Sequence, residues 1–73
     1  MGSMQDRILE AAENMGGEFT TADMTVAIYG DKKPGHMTHV RRRLASLVDW
    51  GDIERVGRIN TGGVLMMVWR LSP

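Results

Sequence analysis

Lys32 to Ile59, KKPGHMTHVRRRLASLVDWGDIERVGRI, joins a basic amphipathic helix to the start of a β-ribbon. With Val40 at zero on a wheel of about 100° per residue, Met37, Leu44, Leu47 and Val48 fall within about 80° of it and form one apolar stripe. The opposite side carries Thr38, Arg42 and Ser46, with His39 and Arg43 on one shoulder and Arg41 on the other. Pro34 suits a first helical turn, because its missing amide is one that the turn leaves unpaired anyway. Gly51 follows Leu47 by four residues and is placed to end the helix in a left-handed conformation that only glycine adopts cheaply. The pattern therefore predicts a helix over 34–50 and a strand from Asp52.

Downstream, 52–59 and 64–71 read as two strands, joined by Asn60-Thr61-Gly62-Gly63, where Asn and Gly supply the positive φ angles of a hairpin. Upstream, Met4, Ile8, Ala11, Ala12 and Met15 recur at helical spacing and predict a first helix over 4–15, stopped by Gly16-Gly17. Phe19, the only Phe, falls in a short extended piece and is expected to plug the core. Thr20 or Thr21 caps a second helix that runs to about Tyr29, and Thr20 with Asp23 resembles a capping box. Its inward residues are expected to be Ala22, Val26 and Tyr29 together with Met24 or Ala27. The order is helix, short strand, helix, helix, hairpin, with no repeat, linker or low-complexity segment.

The pattern V-x-x-x-L-x-x-L, closed by Gly and followed by Ile in a charged strand, is carried by Val40, Leu44, Leu47, Gly51 and Ile53. It resembles the recognition helix and wing of the winged helix-turn-helix family of DNA-binding domains. The upstream stretch GGEFTTADMTVAIYG looks like the short strand and second helix of that family, so the resemblance covers nearly the whole chain. The turn from Gly30 to Gly35 is longer than the tight turn of the simplest members. The resemblance implies an α+β domain of three helices, a short strand and a C-terminal β-hairpin wing, binding double-stranded DNA as a small transcriptional regulator. The rival expectation is a winged-helix protein-interaction module without DNA readout.

A chain of 73 residues is expected to form one domain, with residues 1–3 an expression remnant ahead of a domain over 4–73. Cysteine is absent, which excludes disulfides and thiolate zinc sites and fits a reducing, cytoplasmic setting. No apolar run approaches the roughly 18 residues that cross a bilayer. The formal net charge is zero, but its distribution is polar. Residues 1–31 hold six acids against Arg7, a balance of −5, whereas residues 32–73 hold eight bases against three acids, a balance of +5. One positive and one negative surface are expected, and local potential steers a charged ligand more than net charge does.

Arginine holds phosphate, or the O6/N7 edge of guanine, through two parallel hydrogen bonds. Thr38, His39, Arg42 and Ser46 are therefore the expected base contacts, while Lys32, Lys33, Arg41 and Arg43 are expected on phosphates that orient the helix. Arg55 and Arg58 flank a hairpin whose tip can follow the backbone or enter the minor groove, and they join the phosphate set. His36 and His39 stand three apart, but no third ligand accompanies them, so no metal or cofactor is expected. No nucleophile has an evident partner, no paired carboxylates mark a cleft, and no phosphate-loop pattern occurs, so an enzyme is not expected. In VLMMVWRL the residues Leu65, Met67, Trp69 and Leu71 alternate with Val64, Met66 and Val68. Three helices are expected to cover one face of this strand, leaving Val64, Met66 and Val68 for a homodimer or another protein partner, the alternative being that Met66 and Val68 are tucked under the first helix.

Overall fold

Ser3 opens the described part of the chain, residues 3–73 of a computed structural model. Its hydroxyl accepts from the Asp6 amide at 3.2 Å and the Asp6 carboxylate accepts from the Ser3 amide at 3.2 Å. This reciprocal cap starts helix α1, Met4–Met15. The assignment of residues 1–3 to a remnant falls on Met1 and Gly2, which lie outside the described residues, and on Ser3, which here serves as the helix cap.

Strand β1 is Phe19–Thr20, and the Thr20–Asp23 box, with both bonds at 3.0 Å, opens helix α2, Thr21–Tyr29. Helix α3 is Pro34–Trp50. It ends at Gly51, whose φ of 87° places it in the left-handed region. The Asp52 amide then reaches back to the Leu47 carbonyl at 2.9 Å and the Gly51 amide to Val48 at 3.0 Å, satisfying carbonyls that a helix end orphans. Strands β2, Ile53–Thr61, and β3, Val64–Leu71, complete an antiparallel sheet of order β1-β3-β2. Only Gly62 and Gly63 lie between β2 and β3, with φ of 59° and 84°, as a two-residue hairpin of the mirror-image type demands. The architecture is thus α+β, three helices and a three-stranded antiparallel sheet. Among the described residues no helix is long and apolar enough to cross a membrane.

The core gathers Ile8 and Ala12 from α1, Phe19 from β1, Met24 from α2, Val40, Leu44 and Leu47 from α3, Ile53 from β2 and Trp69 from β3. Trp69 is 1 % exposed, and its indole N–H donates to the Thr21 hydroxyl at 3.0 Å. That bond, with the Thr25 hydroxyl donating to the Thr21 carbonyl at 2.7 Å, sets the phase of α2. Thr21, Met24 and Thr25 point inward, and Val26 and Ala27 are exposed. Of the expected inward residues Met24 is buried, Tyr29 packs against the core and Ala22 is half-buried, whereas Val26 and Ala27 are not inward and Thr21 and Thr25 take those places. Two threonines that look polar in sequence are buried because each hydroxyl has a partner, which removes the cost of burying it.

Leu65 lies on the same face as Met67 and Trp69 but is 65 % exposed, lining an open hollow with Thr21 of α2 and Met37, Thr38 and Arg41 of α3.

Candidate functional site

Helix α3 turns its apolar stripe into the core and leaves Arg41, Arg42 and Arg43 exposed. Thr38, His39, Arg42 and Ser46, grouped from their wheel positions, line one shallow depression of about 330 Å³ together with Gly35 and Arg43. Gly35 was not among the residues singled out from sequence. With open space where a Cβ would stand, it leaves the depression wide at its N-terminal end. The Ser46 hydroxyl donates to the Arg42 carbonyl at 3.2 Å, so its oxygen retains acceptor capacity toward a ligand.

A second depression, about 470 Å³, runs between α3 and the hairpin and is lined by Arg41, Arg42, Ala45, Arg55, Arg58, Met67 and Trp69. Arg42 borders both hollows, so the two form one continuous surface. The β2 contribution depends on an irregularity. Residues three apart on a regular strand face opposite ways, yet Arg55 pairs with Trp69 and Arg58 with Met67, two residues of one face. The register shift between Arg55 and Gly57 inserts Val56 as an extra residue and brings both arginines to the side of α3. Gly57 within a strand pattern was the available signal for such a bulge. The guanidinium carbon of Arg55 lies 5.6 Å from the Trp69 ring centroid, a cation–π distance that holds this side chain along the floor of the cleft.

Among the described residues the ion pairs are Asp31 with His36 and Glu54 with Arg70. Arg41, Arg42, Arg43, Arg55 and Arg58 accordingly have no carboxylate partner. Their donors converge on the α3 face and the cleft with nothing to neutralise them.

The turn before α3 is braced by a separate cluster. Asp31 accepts from the Lys33 amide at 3.1 Å and from Nδ1 of His36 at 2.7 Å. Tyr29 stacks on His36 at 4.0 Å between centroids and meets His39 edge-on at 6.3 Å. The His36 hydrogen bond, seconded by the Lys33 amide, holds the Asp31 carboxyl below its ordinary pKa. Lys32 and Lys33 are exposed on this turn and line neither hollow. Among the described residues no three His, Asp or Glu side chains gather as metal ligands.

Of the residues expected at a protein interface, Val64 is 56 % exposed and Met66 half-buried, while Val68 is only 8 % exposed. Val68 forms the floor of a groove whose walls include Phe19, Thr20, Val56 and Ile59. No family model matches this chain, and neither a curated protein nor a solved structure matches it.

Proposed function

We propose that this chain is a winged helix-turn-helix domain that binds double-stranded DNA sequence-specifically and acts as a small transcriptional regulator, by binding rather than catalysis. The observation that carries this reading is the convergence of unpaired arginines from α3 and β2 on one surface. An α-helix with its side chains is about 10–12 Å across and the major groove about 12 Å wide, so α3 enters with its outer face toward the bases. Arg42 then reads a base edge, with Thr38, His39 and Ser46 beside it. Lys32, Lys33, Arg41, Arg43, Arg55 and Arg58 neutralise phosphates on either side of the groove. The hairpin is the wing, and its neutral tip follows the backbone beyond the cleft.

Salt titration of binding to random duplex DNA tests this reading. Six phosphate contacts predict a slope of log K against log salt of about −5, from roughly −0.9 per neutralised phosphate. Absence of binding at low salt, or binding indifferent to salt, would leave the rival protein-interaction module as the better account.

A further inference from the structure

Strand β1 stops after two residues, because the Thr20–Asp23 box turns the chain into α2 at Thr21. It pairs β3 only through Phe19 with Trp69 and Thr20 with Val68, so residues 64–67 have no strand on their β1 side. On an antiparallel strand alternate residues turn their N–H and C=O groups to opposite sides. Strand β2 takes one set along the hairpin. The other set, in 64–67, has no backbone partner among the described residues.

The hollow at Leu65, about 270 Å³, lies along this open edge. Val64 and Met66 from one face of β3 line it together with Leu65 and Met67 from the other, which a hollow over a single face does not allow. Thr21, where α2 departs, closes one end, and Met37, Thr38 and Arg41 of α3 form the far wall. The two open edges of the sheet differ in protection. The edge of β2 carries a bulge at Val56 and the charges of Glu54, Arg55 and Arg58, which deter pairing. The stretch Val64-Leu65-Met66-Met67 has no charge, no proline and no register shift.

Backbone donors and acceptors in strand register select an extended polypeptide, which presents matching groups at the same spacing. Charge narrows the choice further. Arg41 is the one charged residue of the lining, and no carboxylate pairs with it. A second copy joined through the same edge brings Val64-Leu65-Met66-Met67, which holds no acid for Arg41. We propose that residues 64–67 take an extended acidic peptide segment of another protein as an added strand. An apolar side chain of that segment enters the hollow against Met37 and Leu65, and an Asp or Glu meets Arg41. Met37, Met66 and Met67 make the pocket adaptable to apolar side chains of different shape. Thr38 and Arg41 are also contacts of the proposed DNA surface, so peptide and duplex exclude each other. That exclusion rests on the DNA reading, whereas the peptide site does not.

Selection from a random peptide library displayed on phage, about ten residues long, is expected to enrich apolar residues alternating with an acid. A selected peptide, made synthetically, is expected to slow amide exchange at alternate residues of 64–67 about tenfold or more by NMR, and to lose binding when its own pairing amides are N-methylated. Lysine in place of its acid weakens binding about tenfold or more, and Arg41→Glu, an exposed position whose fold circular dichroism checks, reverses that preference. No enrichment, enriched peptides that leave 64–67 unprotected, or an N-methylated peptide that binds as well as its parent overturns the added strand. Random duplex DNA that protects the same amides when no peptide does overturns it too, and assigns the hollow to the nucleic-acid surface. Duplex binding undisturbed by bound peptide overturns the exclusion, and a chain that takes the peptide but no duplex overturns the DNA reading alone.

Discussion

Arg42 sits where the two hollows of the α3 surface meet, bordered on one side by Thr38, His39 and Ser46 and on the other by Arg41, Arg55 and Arg58. A guanidinium there faces outward with no carboxylate to satisfy its five donors. Arg42→Ala is expected to lower specific DNA affinity by about 1–3 kcal/mol and relax preference at one base pair, as measured by competition among single-base variants of a selected site. Equal affinity and equal preference in a folded variant would remove Arg42 from the contact. Thr21 acts at the same scale but through the core. Thr21→Val leaves the buried indole N–H of Trp69 without its acceptor and is expected to cost about 1–3 kcal/mol in denaturant unfolding. Unchanged unfolding would mean that the indole finds another partner.

Helix α3 owes its ends to two short-range devices. At its C-terminus Gly51, with φ of 87°, has open space around its Cβ position, so any penalty for a side chain there comes from the backbone alone. Gly51→Val is expected to destabilise the domain by at least about 1–2 kcal/mol, because a β-branched residue is strained at positive φ. A melting temperature equal to the parent's would contradict that. At its N-terminus no side chain caps Lys33, and Asp31 braces the turn instead. The Asp31 pKa is depressed in the folded chain by its hydrogen bond to His36. Its contribution to stability is therefore fully present above the ordinary aspartate pKa of about 3.9 and is lost as pH falls through the lowered folded value. Asp31→Asn is expected to remove part of the acid-limb slope of stability below about pH 4, with little effect on that slope at neutral pH. An identical acid limb in the two proteins would show that the contact does not persist in solution.

Across the whole molecule, the zero net charge conceals a charge dipole. The sequence balance of −5 before residue 32 and +5 after it is carried into the fold, because α3 and β2 bring Arg41, Arg42, Arg55 and Arg58 to the cleft while α1 and α2 carry Asp6, Glu10, Glu13 and Asp23 against Arg7 alone. Lys32→Ala, Lys33→Ala and Arg41→Ala are expected to weaken binding to all duplex sequences alike. Each should flatten the salt slope by about one, since a phosphate contact releases counterions without reading bases. An effect confined to one cognate sequence would reassign the residue to base readout.

Whatever depends on short-range stereochemistry could be read directly along the chain. The ends of α1, α2 and α3 follow from Thr20 with Asp23, from Pro34, and from glycines placed where a helix must turn left-handed. The stripe of Val40, Leu44 and Leu47, and hence the outward position of Arg42, follows from a helical period sustained over 17 residues. Tertiary structure decided the phase of nine-residue α2, where one partner for the Trp69 indole outweighed a weak periodicity. It also exposed Leu65, because burial depends on how closely α2 and α3 pack against the hairpin, which at Leu65 leaves an open hollow, rather than on which face a residue occupies. Above all, it brought Arg55 and Arg58 to one side of the sheet. Strand alternation alone sends residues three apart to opposite faces, and only pairing β2 against β3 with Val56 as the extra residue turns both toward α3.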